Sequence, residues 1–348
     1  MILKKNHKIS LDKFINYCLY DKKNGYYINK NPFGKNGDFL TAPNISRLFS
    51  EMIAIWTIGF WQNLGSPEKF NIIELGAGNG EMMRIMIESF KKFPYFMKAC
   101  NIIIHEKSST LIKIQKTNIN FKNIKWVSDL KKISTLPSIF LANEFFDSIP
   151  IKQFLKDDNV WFEKFVHTSN ENKYSFIYKK VNIKTIEKKI NFKLSKKNDF
   201  IEYSPLGFKY LKDIFKFIKK NDGGLLVVDY GYFSEKTKDT LQAIYKKKYS
   251  QVLENIGKSD ITYNLNFYLI KKIVQNFKEL DVSYTTQEKF LTKLGIQQRA
   301  EIISKNKSFT QKADIFYRLK RLIDKKEMGD LFKVMLIKKS NNNFQIGF

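Results

Sequence analysis

The chain has 348 residues, more than a single hydrophobic core usually serves, so either one large domain with insertions or two domains are expected. Hydrophobic residues make up 43% and aromatics 15%, with 31 Phe and 17 Tyr, which supplies a packed core and excludes global disorder. A formal net charge of +27, from 61 Lys and Arg against 34 Asp and Glu, suggests on its face an anionic partner.

Residues 9–20 carry Ile9, Phe14, Tyr17 and Cys18 at helical spacing, and Asn24-Gly25 marks a turn. A loop rich in Gly, Asn and Pro follows, then an apolar helix over 45–61, which Gly65-Ser66-Pro67 ends. Strand and helix then alternate: strand 70–75, helix 80–92 ended by Pro94, strand 101–105, helix 108–117, strand 124–127 and strand 138–142. Such alternation calls for a parallel sheet covered by helices. Residues 150–203 change period and read as a meander of antiparallel hairpins. The α/β pattern resumes with a helix at 205–219, a turn at Asn221-Asp222-Gly223-Gly224 and a strand at 225–229. A helix at 264–277, a strand at 280–285, two helical stretches and a strand at 332–338 complete the chain.

The expected fold is therefore α/β: a doubly wound, mostly parallel, seven-stranded sheet; that its last strand turns back antiparallel is an analogy with known folds, suggested by the closing pair of strands. An N-terminal helical segment over 1–66 precedes it as a lid. Insertions fall at about 150–203 as the meander, and at 233–263 and 287–328 as loop or helix.

The sharpest motif is Glu74-Leu75-Gly76-Ala77-Gly78-Asn79-Gly80 at a strand-to-helix junction. Glycines there permit positive φ and let a ligand approach the backbone, and the helix that follows directs N–H groups at it. A dinucleotide fingerprint would place the third glycine one position later. The spacing fits S-adenosylmethionine (SAM), although a bland turn or another nucleotide remains open on this motif alone. Glu106, at the end of the second strand, is placed to accept two hydrogen bonds from a ribose, or is a strand-end acid. Asp129, beyond the third strand, is placed to reach an adenine amino group, or is a turn residue. The fourth strand runs into Asn143, Glu144 and Asp147 at the carboxyl end of the sheet. A carboxylate there can clamp a guanidinium and align one nitrogen with a methyl group, the competing reading being that Asn143 and Asp147 cap a turn.

Several blocks together resemble the MidA family of SAM-dependent methyltransferases: GYY at 25–27, GDFLTAPNISRLFSE at 37–51, ELGAGNG, LANEFFDSIPIKQF, GGLLVVDYGY at 223–232, DTLQAI at 239–244, QEKFLTKLGI and MGDLFKVMLI. The resemblance runs from about residue 9 to 338. It implies a class I methyltransferase fold, SAM as cofactor and a protein arginine as substrate, the mitochondrial members being arginine methyltransferases that assist respiratory complex I assembly. By position it implies that Gly76, Gly78 and Gly80 line the SAM loop, Glu106 holds the ribose, and Asn143 with Glu144 faces the transferred methyl. The resemblance further implies that Gly37, Asp38 and Thr41 belong to a segment that folds over the cofactor. The sequence departs from the family where Asn44 replaces a common Glu, Arg47 a common Gln, and Asn264 and Asn266 a His-x-Asp pair.

The charge points away from nucleic acid. Only Arg47, Arg84, Arg299, Arg318 and Arg321 are arginines, whereas phosphate readers lean on the guanidinium, and the lysines are scattered rather than blocked. Two cysteines and three histidines offer no ligand-spaced cluster, so no metal is expected. The start MILKKNHKISLDKF has neither an apolar core nor an Arg/Ser-rich presequence, and a cytoplasmic protein without membrane insertion is expected. A catalytically weak assembly chaperone on the same fold and a nucleic-acid methyltransferase are the alternative functions.

Overall fold

Short apolar runs form the strands at the centre of the molecule: β1 (Phe70–Leu75), β2 (Cys100–His105), β3 (Ile124–Val127), β4 (Ser138–Asn143), β5 (Gly223–Tyr232), β6 (Leu280–Thr286) and β7 (Phe332–Lys339). All six residues of β1 are buried, as in a strand covered on both faces, and they include the polar Asn71 and Glu74. In this computed structural model the seven lie in the order β6-β7-β5-β4-β1-β2-β3. β1 to β5 are parallel along this path, with Ile73 facing Ile103 on one side and Phe140 on the other. β7 is antiparallel to both β5 and β6. The expected fold class, with its reversed last strand, is the one observed. The chain runs from β1 outward through β2 and β3, then returns beside β1 as β4, so the strand order reverses between β1 and β4. In open α/β sheets ligands bind at the carboxyl ends of the strands at such a reversal.

Residues 6–29, 41–171 and 173–348 are described; Gly37 and Asp38 lie outside them. They form two compact units. One comprises described residues of 31–145, 214–232 and 274–348 and holds the seven strands; the other draws on 1–30, 146–213 and 233–273. The expected N-terminal segment 1–66 is thus divided between the two.

In the sheet unit α1 (Arg47–Asn63) is buried along most of its length, with Trp56 stacked on Phe60 at 5.2 Å between ring centroids. α2 (Glu81–Phe90) buries Met82, Met83, Met86, Ile87 and Phe90, the spacing of one helical face, and packs on α1. α3 (Ser109–Asn118) is capped by the Ser108 hydroxyl, which accepts from the Leu111 N–H at 3.2 Å. Further along come α4 (Ile296–Ser304) and α5 (Phe309–Ile323).

The second unit holds a five-stranded antiparallel sheet of His7–Ser10, Lys152–Asp157, Val160–Thr168, Tyr174–Val181 and Phe200–Tyr203. The meander over 150–203 is real for its first three strands, but a helix, Ile183–Ile190, stands inside it. Ile183, Ile186 and Ile190 have helical spacing, and the Asn182 side chain caps the helix by accepting from the Lys184 N–H. The chain's beginning supplies an edge strand, where a helix alone is expected from residue 9. The stretch expected as loop or helix at 233–263 instead contains a three-stranded sheet of Gln242–Tyr245, Lys248–Ser250 and Asp260–Thr262. Pro94 does not merely end a helix: it opens Pro94–Ala99, since proline suits a first turn where its missing N–H has no partner to lose. Four helices, not two, lie over 287–331.

Candidate cofactor and substrate site

The loop after β1 takes its shape from glycine. Gly76, Gly78 and Gly80 have φ of +66°, +54° and +83°, in the left-handed region that side chains avoid. A Cβ on Gly76 would stand 2.8 Å from the Phe145 ring, and one on Gly80 would stand 2.9 Å from Ile119 Cδ1. Gly80 is also the residue from which α2 starts, so the loop delivers the backbone to the positive end of a helix dipole.

Two acids stand beside this loop. Glu74, at the end of β1, is 3% exposed, and its Oε2 is buried without a hydrogen-bond partner. Burial, with the charge of Glu106 as a smaller cause, pushes its carboxyl up to about 8. Glu106 follows β2 and is also buried; Oε1 accepts from the N–H groups of Lys107 and Ser108 at 2.8 and 2.9 Å. Its carboxyl is raised by burial, against the opposing pull of those N–H groups. Asp129 is exposed, and Oδ1 accepts from the Lys131 N–H at 3.0 Å, capping the short helix Leu130–Lys132. The turn-residue reading of Asp129 therefore accounts for one of its oxygens.

Across the strand-order reversal, β4 ends at Asn143, whose Oδ1 is buried and without a partner, while its Nδ2 donates to Glu144 Oε1 at 3.3 Å. Glu144 has φ +48°, which is uncommon for any residue but glycine. Its backbone N–H donates to the Val228 carbonyl at 2.9 Å, pinning it beside β5, and the Ala42 N–H approaches Oε1 at 3.4 Å. Asp147, three residues on, is buried and belongs to the other compact unit.

Thr41 joins the site through a residue not expected to bear on it. Asn44 donates to Thr41 Oγ1 at 2.8 Å and accepts from Asn79 Nδ2 at 2.8 Å, tying the segment before α1 to the glycine loop. Arg47, itself exposed, pairs with the buried Glu51 and with Glu88 at the surface. Asn266, in the other unit, caps the helix Phe267–Val274, its Oδ1 accepting from the N–H groups of Tyr268 and Leu269. Sequence reasoning missed Asn79, Gln115 and the buried Asp229 at the carboxyl end of β5. Asp229 stands within the quoted GGLLVVDYGY block, which was its signal.

A reversed seven-stranded sheet, an acid followed by three left-handed glycines at the point where the strand order turns, and a second acid after the neighbouring strand define a class I methyltransferase. The residues fit the cofactor of that class: buried oxygens of Glu74 and Asn143 lack partners, and the glycine cradle is one that a single Cβ would fill. The chain belongs to the family described as putative S-adenosyl-L-methionine-dependent methyltransferases, whose family model matches residues 52–286. It is 25% identical over 358 residues to a mitochondrial protein of Xenopus tropicalis named protein arginine methyltransferase NDUFAF7, covering 95% of this chain and 82% of that one. The human protein of the same name is 26% identical over 357 residues, with 95% and 80% covered. A Burkholderia thailandensis structure, described as a likely methyl transferase bound to S-adenosyl-homocysteine, shares the fold at a TM-score of 0.81 and 19% identity, covering 98% of this chain and 90% of that one. The protein is a SAM-dependent methyltransferase.

Proposed function

We propose that the methyl acceptor is an arginine side chain of a protein, and that Glu144 is the counter-charge that grips its guanidinium. The observation that carries this reading is a carboxylate held in a strained backbone at the end of β4, across the strand-order reversal from the glycine loop. Strain of this kind is retained where geometry serves function. The similarity to proteins named arginine methyltransferases supports the substrate class.

In the same proposal Gly76, Gly78 and Gly80 hold the methionyl part of SAM, Glu106 takes the ribose, and Asp129 Oδ2 is left for the adenine amino group. Bound SAM would supply an electrophilic methyl on a sulfonium for transfer to a guanidinium nitrogen, whose proton would pass to water. Glu144 orients that nitrogen and balances the cation, and Asn143 Oδ1 accepts an N–H from the acceptor group. Little acid catalysis is required, so alignment dominates the rate. Asp147 stays a candidate beside Asn143 and Glu144, while Gly37 and Asp38 lie outside the described residues. The MidA resemblance implies a respiratory complex I type subunit as target. Among the described residues no helix is long and apolar enough to cross a membrane.

Mass spectrometry of the host proteome with and without the gene tests the substrate. Loss of a methylarginine supports the reading, and loss of a methyl from another residue type overturns it. Labelled-methyl transfer to lysate proteins separates an enzyme from a chaperone, which labels nothing above background. Calorimetry with SAM tests the loop: micromolar binding by the wild type and none by Gly78→Val is expected.

A further inference from the structure

Gln115 sits in the middle of α3, where a polar residue would ordinarily face solvent, yet it is completely buried. Both of its polar atoms have partners. Nε2 donates to the Gly78 carbonyl at 2.9 Å and to Glu106 Oε2 at 3.2 Å, and Oε1 accepts from Trp126 Nε1 at 3.0 Å. Because the indole N–H can only donate, it fixes which end of the amide is oxygen; a flipped amide would set its oxygen against a carbonyl and a carboxylate. The α3 backbone also lies against the glycine loop, the Gln115 Cα standing 3.4 Å from where a Cβ of Gly80 would be.

We propose that Gln115 is a positioning residue for the cofactor: it ties the glycine loop to Glu106 so that Glu106 presents one remaining acceptor site to the ribose. The count follows from the geometry. A carboxylate offers about four lone-pair sites. Two on Oε1 are taken by Lys107 and Ser108 and one on Oε2 by Gln115. The expectation that Glu106 accepts both ribose hydroxyls is thereby narrowed to one. Buried amides with every partner in place rigidify a site, and loss of any one leaves the others exposed to the full cost of burial.

This inference rests on the assignment of Glu106 to the ribose, and the experiment separates the two. Binding of S-adenosylhomocysteine and of its 2′-deoxy and 3′-deoxy analogues is measured by calorimetry for the full-length wild type, Gln115→Met and Trp126→Phe. One deoxy analogue is expected to bind the wild type about 10-fold or more weakly, the size of a hydrogen bond to a charged group. In Gln115→Met overall affinity falls about 10-fold and that ratio collapses to below about threefold; Trp126→Phe moves both in the same direction. The KM for SAM rises in step while kcat at saturation stays within about twofold, as expected for lost binding common to ground and transition states. A wild type that binds both deoxy analogues like the parent removes the ribose role of Glu106 and this inference with it. A discriminating wild type whose variants keep the ratio reduces Gln115 to a structural residue and overturns the inference alone. Where Gln115→Met does not fold, Trp126→Phe decides by the same ratio.

Discussion

Glu144 joins function to strain in one residue, and the two can be separated. Replacing it by glycine relieves a left-handed conformation that costs an L-residue about 1–2 kcal/mol. Glu144→Gly is therefore expected to gain about 1 kcal/mol in unfolding free energy, measured in urea, while methyl transfer falls by about 100-fold or more. Gly76→Ala shows the opposite pattern: its φ of +66° and a Cβ only 2.8 Å from Phe145 cost about 1–3 kcal/mol of stability, and SAM binding is lost as the loop shifts. Glu74 gives a pH signature. Its carboxyl lies near 4.5 unfolded and about 8 folded, so its contribution to stability is complete below about 4.5 and is lost as pH rises to about 8. Melting temperatures from pH 4.5 to 8 should fall less steeply for Glu74→Gln than for the wild type. Glu202, pushed by burial to about 7, and Glu106, raised by burial, keep part of the slope in both proteins.

At the scale of elements, α1 and α4 are held together by one buried acid. Glu51 on α1 is 5% exposed and receives Arg299 of α4 on both oxygens, at 2.7 and 3.2 Å, as well as Arg47 at 2.9 Å. Although burial raises its carboxyl, the two guanidinium groups hold it below the usual range. Arg299→Ala leaves a buried charge with one surface partner and should cost about 1–3 kcal/mol in denaturant unfolding, with the SAM affinity of the folded fraction unchanged. A second link runs from Arg318 on α5, whose Nη1 donates to the Ile45 carbonyl at 2.8 Å. Two of the five arginines therefore hold helices onto the segment that leads to the glycine loop, which accounts for guanidinium where lysine is otherwise used: planar, multi-donor groups can bridge several acceptors. The helices themselves were legible from their apolar spacing. Which of them meet was not, because a surface ion pair and a buried one look alike in sequence.

For the whole molecule, the charge of +27 is a field and not a site. Nucleic acid should bind weakly, with log affinity falling linearly against log salt, and should yield no methylated product in a labelled-methyl assay. The proposed site itself is built of glycine, amides and acids, which suits a cationic acceptor. The sequence by itself determined the alternation of elements and the junction from Glu74 to Gly80, because apolar period and glycine spacing act over a few residues, whereas the reversed last strand was expected by analogy. Asn143, Glu144 and Glu106 were legible too, since the ends of strands can be counted. The tertiary structure alone decided the division into two units and the helix within the meander. It alone also showed Gln115 as buried, Asn44 as a link to the glycine loop, and Glu74 as a buried acid whose Oε2 has no hydrogen-bond partner. The reason is common to all of them. Burial and hydrogen-bond partners are supplied by residues distant along the chain, and no local spacing encodes which strand or helix will arrive to provide them.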